Sequence, residues 1–431
     1  MRKMKDCGIE WIGQIPSDWN VKKCKYVTEF INGFPFESEA LKDEYLYPVV
    51  RISDIKDGAV SFDSCLGVDN NSGLSPFLVK RNDILLAMSG ATVGKVGIVR
   101  NDCAPAYINQ RVGIIRTKCP NFLFYCLSTN NFIEYVILIS AGTAQPNVST
   151  KGFGEFPVPF PPIDEQKKIA DFLDEKCGEI DSIRSDIQKQ IDILNDYKKS
   201  VITEAVTKGL NPRAKLKDSG IEWIGKIPER WDIKRFKYIA DALYKGNGIT
   251  KEQVFLDGNT QCVRYGEIYS KYNISFSDCL SLTKCELISS PQYFEYGDIL
   301  FAGTGELVEE IGKNIVYLGN EKCLAGGDIV VARHSQNPSF LNYALGSSYC
   351  QSQKSSGKAK LKVVHISATQ IGNILVAVPP LPEQKAIADY LDEKCSAIDA
   401  TIADKQKQLE TLDEYKKSLI FEYVTGKKEV V

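Results

Sequence analysis

Two long stretches of the chain place apolar residues in alternating steps of four and three. The first seam runs Leu173, Cys177, Ile180, Arg184, Ile187, Ile191, Leu194, Lys198, Val201, and the second Leu391, Cys395, Ile398, Ile402, Lys405, Leu409, Leu412, Lys416, Leu419. Seven of the nine positions are apolar in each, and the positions between them are mainly Lys, Glu, Asp and Gln. So narrow a stripe predicts two helices that pair with each other as a coiled coil. The plainer alternative is a helical hairpin packed on a core. Pro-Pro steps at 161 and 379 stop the segments before the helices, and Gly209 with Pro212 ends the first. Roughly 45 residues at 1.5 Å each make a rod of about 67 Å.

The blocks between the helices have a different pattern. Short β-rich runs at Tyr47 to Ile52, Asp83 to Met88, Val96 to Val99 and Val112 to Arg116 are separated by Gly, Asn and Asp. Later runs at Asp298 to Ala302, Asn314 to Leu318 and Ile329 to Arg333 read the same way. One helix is expected near Pro120 to Ser140 and another near Pro338 to Lys354. The fold class is therefore α+β: two strand-rich domains alternating with two long helices.

The chain also repeats itself. The segment Asp6 to Trp19 recurs as Asp218 to Trp231 with 10 of 14 positions identical, and all four tryptophans lie in these copies. Pro161 to Cys177 recurs as Pro379 to Cys395 with 13 of 17 identical. Between these landmarks the copies diverge, although Val50-Arg51-Ile52 aligns with Val263-Arg264-Tyr265, and Asp83-Ile84-Leu85 with Asp298-Ile299-Leu300. Similar frames with dissimilar middles imply one scaffold presenting two recognition surfaces.

Composition narrows the class. At 431 residues, 25% charged and 43% apolar, the chain is long enough for two or three globular domains. Its longest apolar runs, such as Tyr135 to Ala141, are too short to span a bilayer, so no membrane partner is expected. No apolar signal core follows Met1 to Asp6, which predicts a cytoplasmic protein. Thirteen scattered cysteines without a Cys-X-X-Cys pair fit reduced thiols, not a disulfide framework or zinc cluster. The net charge of -2 argues against a phosphate partner until it is divided. Residues 1–160 carry 17 Lys+Arg against 16 Asp+Glu and residues 211–378 carry 20 against 17, whereas 161–210 and 379–431 carry 8 against 11 each. The strand-rich blocks are thus neutral to basic and the helices acidic, a pattern that solvated helix faces also produce.

Most suggested chemistry fails. Phe301-Ala-Gly-Thr-Gly305 matches the loop with which amino-methyltransferases hold S-adenosylmethionine, but the aligned first copy reads Leu86-Ala-Met-Ser-Gly90 and no Asn/Asp-Pro-Pro-Tyr partner exists. An adenine methyltransferase is therefore a minor alternative. Asp164-Glu-Gln-Lys167 sits contiguously at a helix start, where acidic residues are ordinary dipole partners. His334 and His365 have no ligand-spaced neighbours, so no metal, catalytic residue or cofactor is assigned. No phosphate loop for ATP is present.

What survives is binding. Lys358, Lys360 and Lys362 alternate, which in a strand puts three charges on one face for phosphate contact, or for protecting a sheet edge. The turns Ile31 to Phe34, with Asn32, and Lys245 to Gly248, with Lys245 and Asn247, occupy equivalent places. With Ser89, Thr92 and Lys95, with Gln110 and Arg111, with Gln145 and Asn147, and with Arg51, Arg264 and Thr304, they are candidate contacts to DNA bases and phosphates. Arg reads guanine and Asn or Gln adenine by bidentate hydrogen bonds, although for each residue plain turn chemistry is the competing role.

These residues together resemble a family, the DNA specificity (S) subunits of type I restriction-modification enzymes. The resemblance covers essentially the full length. It rests on the Gly-Ile-Glu-Trp-Ile-Gly-X-Ile-Pro-X-X-Trp openings at 8 and 220, the Pro-Pro-X-X-Glu-Gln-X-X-Ile-Ala segments at 161 and 379, and the tails Tyr197 to Gly209 and Tyr415 to Gly426. It implies target recognition domains at 1–160 and 211–378, each reading half of a bipartite double-stranded DNA target. It implies a central conserved region at 161–210 and a C-terminal one at 379–431, whose helices pair antiparallel, set the spacer and dock two modification (methyltransferase) subunits. Restriction subunits, ATP-dependent translocases and endonucleases, would join these. The chain itself would be non-catalytic. The rival of another class is a coiled-coil scaffold whose domains bind protein.

Overall fold

A computed structural model describes residues 2–43, 46–69, 72–100, 105–140, 147–221, 224–357 and 363–430. Its chain divides into two units, one of residues 1–188 with 406–431 and one of 189–405. The two long helices are α1, Ile163–Lys208, and α2, Leu381–Val424, and each contributes one half to each unit.

In the first unit the core sheet has the strand order Glu29–Asn32, Val112–Arg116, Ile84–Ala87, Val96–Ile98, Ala59–Val60, Ile55–Lys56. Its central strands are buried on both faces, which is why Ile84-Leu-Leu-Ala87 reads as continuous apolar sequence and not as an alternation. A three-stranded sheet of Tyr107–Ile108, Tyr47–Val50 and Gly67–Val68 packs beside it. The second unit repeats the plan. Ala240–Lys245, Ile329–His334, Ile299–Ala302, Asn314–Tyr317 and Ser275–Phe276 form the larger sheet. Ser281–Thr283, Thr260–Val263, Cys323–Ala325 and Tyr293–Phe294 form the smaller.

Two expectations need correction. The helix expected at 120–140 is two helices, Pro120–Leu127 and Asn130–Ser140, bent by 65°. Between them Ser128 Oγ and Thr129 Oγ1 donate to the carbonyls of Phe124 and Cys126, giving the backbone an alternative to continuing the helix. Likewise 338–354 divides into Pro338–Gly346 and Ser348–Ser355, because Ser347 is extended (φ -65°, ψ 158°) and its hydroxyl bonds Ala344 O. Among the described residues no single helix is long and apolar enough to cross a membrane.

The long helices pair antiparallel in both units. In the first, Asp181 meets Lys416, Arg184 meets Asp413 at 2.7 Å and Phe172 meets Tyr423. In the second, Lys198 Nζ lies 2.7 Å from both Asp399 oxygens and Lys405 bonds Gln190. The polar seam positions of the sequence are thus the ones that reach a partner across the seam. Leu173, Ile180, Ile187, Ile191, Leu391, Ile398, Ile402 and Leu419 are buried; Leu194, Val201, Leu409 and Leu412 are half-buried.

The repeated motifs build one joint per unit. In the first, Trp19 is buried, its Nε1 donates to Glu165 Oε2 at 2.9 Å at the start of α1, and the end of α2 closes over it at Gly426. In the second, Trp231 Nε1 donates to Glu383 Oε2 at 3.0 Å at the start of α2, and Gly209 at the end of α1 lies against its ring. Further along, the repeated Leu-Asp-Glu-Lys-Cys segments clamp the strand-rich part to its helix. Tyr125 OH donates to Asp174 at 2.7 Å and Tyr343 OH to Asp392 at 2.8 Å. Burial and the adjacent carboxylate both push these phenols up, so they stay protonated donors.

Candidate nucleic-acid interface

Register brings the ends of several strands together in the first unit. Asn32 pairs with Gly113 while Val112 pairs with Ala87, so at one end of the sheet the chain leaves Glu29–Asn32 and Ile84–Ala87 and enters Val112–Arg116. Beyond that end, backbone hydrogen bonds connect the segments. Phe34 N donates to Ile108 O at 3.1 Å, Asn109 N to Val50 O at 3.0 Å, Met88 N to Arg111 O at 2.9 Å and Val148 N to Met88 O at 2.8 Å. Ser89 bridges Asn147, and Ala87 N bonds Lys95 O at 2.9 Å. Asn32, Arg51, Ser89, Lys95, Gln110, Arg111 and Asn147 are thereby gathered at one end from six stretches of sequence.

The second unit uses the same connections. Asn247 N donates to Ala325 O at 3.0 Å, Gly326 N to Val263 O at 2.8 Å, Gly303 N to Asp328 O at 2.6 Å and Ile366 N to Gly303 O at 2.9 Å. This gathers Lys245, Asn247, Arg264 and Thr304. The glycines in the two equivalent turns have a packing reason. A Cβ on Gly33 would lie 2.0 Å from Asn109 O, and one on Gly246 2.3 Å from Gly326 O, so only glycine lets these backbones cross.

The gathered side chains are not equally available. Asn32, Lys95, Gln110, Arg111 and Asn147 are exposed, and neither Lys95 nor Arg111 pairs with a carboxylate among the described residues. Ser89 is buried and Thr92 half-buried, and their hydroxyls meet no hydrogen-bond partner among the described residues. Arg51 and Arg264 have mounting duties: each donates its backbone N–H to a carboxylate three residues on, Asp54 at 2.8 Å and Glu267 at 2.9 Å. Their guanidinium groups contact the same carboxylates, at 3.3 Å and 3.4 Å. Burial pushes Asp54 and Glu267 up, but these contacts, with Lys271 and Ser281 on Glu267, outweigh it and hold both below the usual carboxylate range. Lys245 pairs with Asp328 at 2.9 Å, the Asn247 amide bonds the Ser289 and Ser290 carbonyls, and Thr304 is buried with its hydroxyl 3.0 Å from His365 Nδ1. Gln145, Lys358, Lys360 and Lys362 lie outside the described residues.

The two gathered ends differ in chemistry. Where the first carries Asn109-Gln110-Arg111, the second carries Gly326-Gly327-Asp328. Small residues there leave a concavity of about 570 Å³ lined by Thr250, Lys251, Arg264, Tyr265 and Lys271 among others. Lys251, Tyr265 and Lys271 were not singled out by sequence, because nothing local marks them as neighbours of residue 327. The glycines of the Phe301 to Gly305 segment serve chain packing. A Cβ on Gly303 would lie 2.8 Å from Asp328 O and one on Gly305 2.8 Å from the Tyr269 hydroxyl. Among the described residues no group of three His, Cys, Asp or Glu side chains gathers to hold a metal.

Comparison with known proteins fits this doubled plan. A family model described as type I restriction modification DNA specificity domain matches twice, at 16–193 and 228–411. The MjaVIII type I restriction enzyme specificity subunit of Methanocaldococcus jannaschii is 26% identical over 430 residues, covering 97% of this chain and 94% of the relative. The EcoKI specificity subunit of Escherichia coli is 22% identical over 399 residues, covering 88% and 83%. A solved chain from a study of assembly and conformational transition in the type I R-M system shares the fold at TM-score 0.69 and 18% identity, covering 96% of this chain and 99% of that one.

Proposed function

The chain belongs to the type I restriction-modification DNA specificity family, and from that premise we propose that each unit reads one half of a split double-stranded DNA target through its gathered end. As a whole the protein is a DNA sequence-specificity subunit. The observation that carries the two-reader proposal is the pair of ends built by identical backbone connections yet furnished with different side chains. A common mount with different furnishing suits two half-sites of unlike sequence. Exposed Arg111, Gln110, Asn32 and Asn147 would supply base contacts in one unit, and Lys95 a phosphate contact. Lys251, Arg264 and Lys271 would line the groove-facing concavity in the other.

α1 and α2 would set the spacer between half-sites and, with the adjoining repeated segments, dock two modification subunits, to which restriction subunits would add. The chain would be non-catalytic and cytoplasmic, with base extrusion and methyl transfer left to the modification subunits.

Single-molecule sequencing of methylated adenines tests this, in cells expressing the chain with its cognate modification subunit against cells lacking only the chain. A split motif modified only when the chain is present is the expected result. No chain-dependent motif, with the modification subunit soluble, favours a protein-binding scaffold instead.

A further inference from the structure

A basic turn with an outward tyrosine stands at matching places in the two units, away from the gathered ends. Lys22-Lys23-Cys24-Lys25-Tyr26 and Lys234-Arg235-Phe236-Lys237-Tyr238 occupy matching positions in the repeat. Tyr26 is 72% exposed and Tyr238 74%. Scattered exposed aromatic residues are ordinary, but a matched pair on matched mounts is not scatter. In each unit the tyrosine closes a short 3₁₀ turn whose first residue, Cys24 or Phe236, is fully buried. Cys24 N bonds Phe156 O at 2.9 Å and Phe236 N bonds Ile374 O at 2.8 Å. The lysine before the tyrosine rests on a glycine in both: a Cβ on Gly154 would lie 3.1 Å from Lys25 Cβ, and one on Gly372 3.2 Å from Lys237 Cβ. Each lysine Nζ lies 5.2 Å from the centre of the adjacent tyrosine ring. The aromatic group is thus held outward on a rigid base, which lowers the ordering cost of binding.

We propose that Tyr26 and Tyr238 are equivalent anchors, each seating in an acid-rimmed apolar socket on one copy of the same protein partner, the modification subunit. This rests on the docking role proposed above. Three observations favour that occupant. The gathered ends differ between units while these turns agree, so they contact something that is the same for both. By register they precede the opposite ends of the strands Glu29–Asn32 and Ala240–Lys245 from those where the reading loops emerge, which favours protein over DNA. Finally, each patch is basic overall: Lys23 and Lys25 share the single carboxylate of Glu155, and Lys234 meets Asp232, so cations outnumber the acids beside them in both turns. A protruding tyrosine with a cationic surround matches the composition of interface anchors and complements an acidic rim.

Native mass spectrometry and sedimentation of the full chain titrated with its purified cognate modification subunit give the test, with thermal unfolding as a check of folding. Wild type takes up two copies. Tyr26→Ala or Tyr238→Ala weakens uptake of one copy by about 30-fold, the double variant weakens both, and Tyr→Phe at either site retains uptake because the ring remains. Two copies bound at wild-type affinity by the double Ala variant overturn the proposal alone. Unchanged uptake with a shallower salt dependence of DNA binding also overturns it, assigning the turns to phosphate contact. A wild-type chain that takes up no modification subunit overturns the docking role and this proposal together.

Discussion

Gly426 and Gly209 close equivalent joints under unequal constraint. Both have positive φ, 70° and 71°, where an L side chain is strained. A Cβ on Gly426 would come 2.5 Å from Pro16 Cδ, which cannot move aside without its backbone, whereas one on Gly209 meets the Glu383 carboxylate at 3.0 Å and the Trp231 ring at 3.2 Å. Gly209→Ala is therefore expected to cost about 1–2 kcal/mol and Gly426→Ala about 3 kcal/mol in urea unfolding. A second residue-scale contrast is Lys354, buried over the Phe301 ring with its Nζ 2.9 Å from Gly312 O and 2.7 Å from Asn314 Oδ1. Desolvation pushes it down to about 8. Because the folded value lies below the unfolded one near 10.5, the unfolded chain holds more protons between them, so stability rises as pH goes from about 8 to 10.5. Below that window the cost of the buried charge is fully present. Against Lys354→Met, wild type should gain about 1–3 kcal/mol across the window in pH-dependent unfolding. Parallel curves would mean the ammonium is not desolvated.

At the scale of elements, the ion pairs on the seam combine burial and exposure. Lys416 reaches both Asp181 oxygens at 2.6 and 2.7 Å, but the Asp side chain is 49% exposed, so a double-mutant cycle should return only about 0.5–1 kcal/mol. Leu391, fully buried at the equivalent of Leu173, is worth more: Leu391→Ala should cost about 2–5 kcal/mol. If α1 and α2 set the spacer, inserting four residues into α2 should change the preferred spacer in a methylated-adenine map while both half-sites stay the same. The helices were legible because a seven-residue apolar repeat sustained over dozens of residues matches the period of a paired helix and of little else. The breaks at Ser128–Thr129 and Ser347 were not, because a hydroxyl choosing a carbonyl leaves no periodic trace. Nor were the short strands Asn20–Lys23 and Asp232–Arg235 singled out, since they pair with Pro157–Phe160 and Leu375–Val378, over 100 residues away.

The whole chain uses its repeat as a frame, and its divergent loops are the proposed readers. The repeated tryptophans were visible in the sequence, but their partners Glu165 and Glu383 lie 146 and 152 residues further on, beyond any local signal. The gathering of Asn32, Lys95, Arg111 and Asn147 was equally hidden, since it depends on backbone bonds between distant segments. Arg51 and Arg264 stood out by aligning in the repeat, and that alignment reflects their shared carboxylate mounts. With a net charge of -2, the isolated chain should bind DNA weakly at physiological salt and gain affinity when modification subunits join. Tight specific binding by the chain alone in a titration would contradict this.

The central claim is that two units read two half-sites independently. The most direct test maps methylated adenines by single-molecule sequencing in cells expressing, with the cognate modification subunit, wild type or a variant carrying Asn109→Gly, Gln110→Gly and Arg111→Asp. This gives the first unit's proposed reading loop the residues that the second unit carries at the equivalent positions. The predicted result is a motif altered or relaxed in one half, with the other half and the spacer unchanged. A motif changed in both halves, or in neither, would contradict the account.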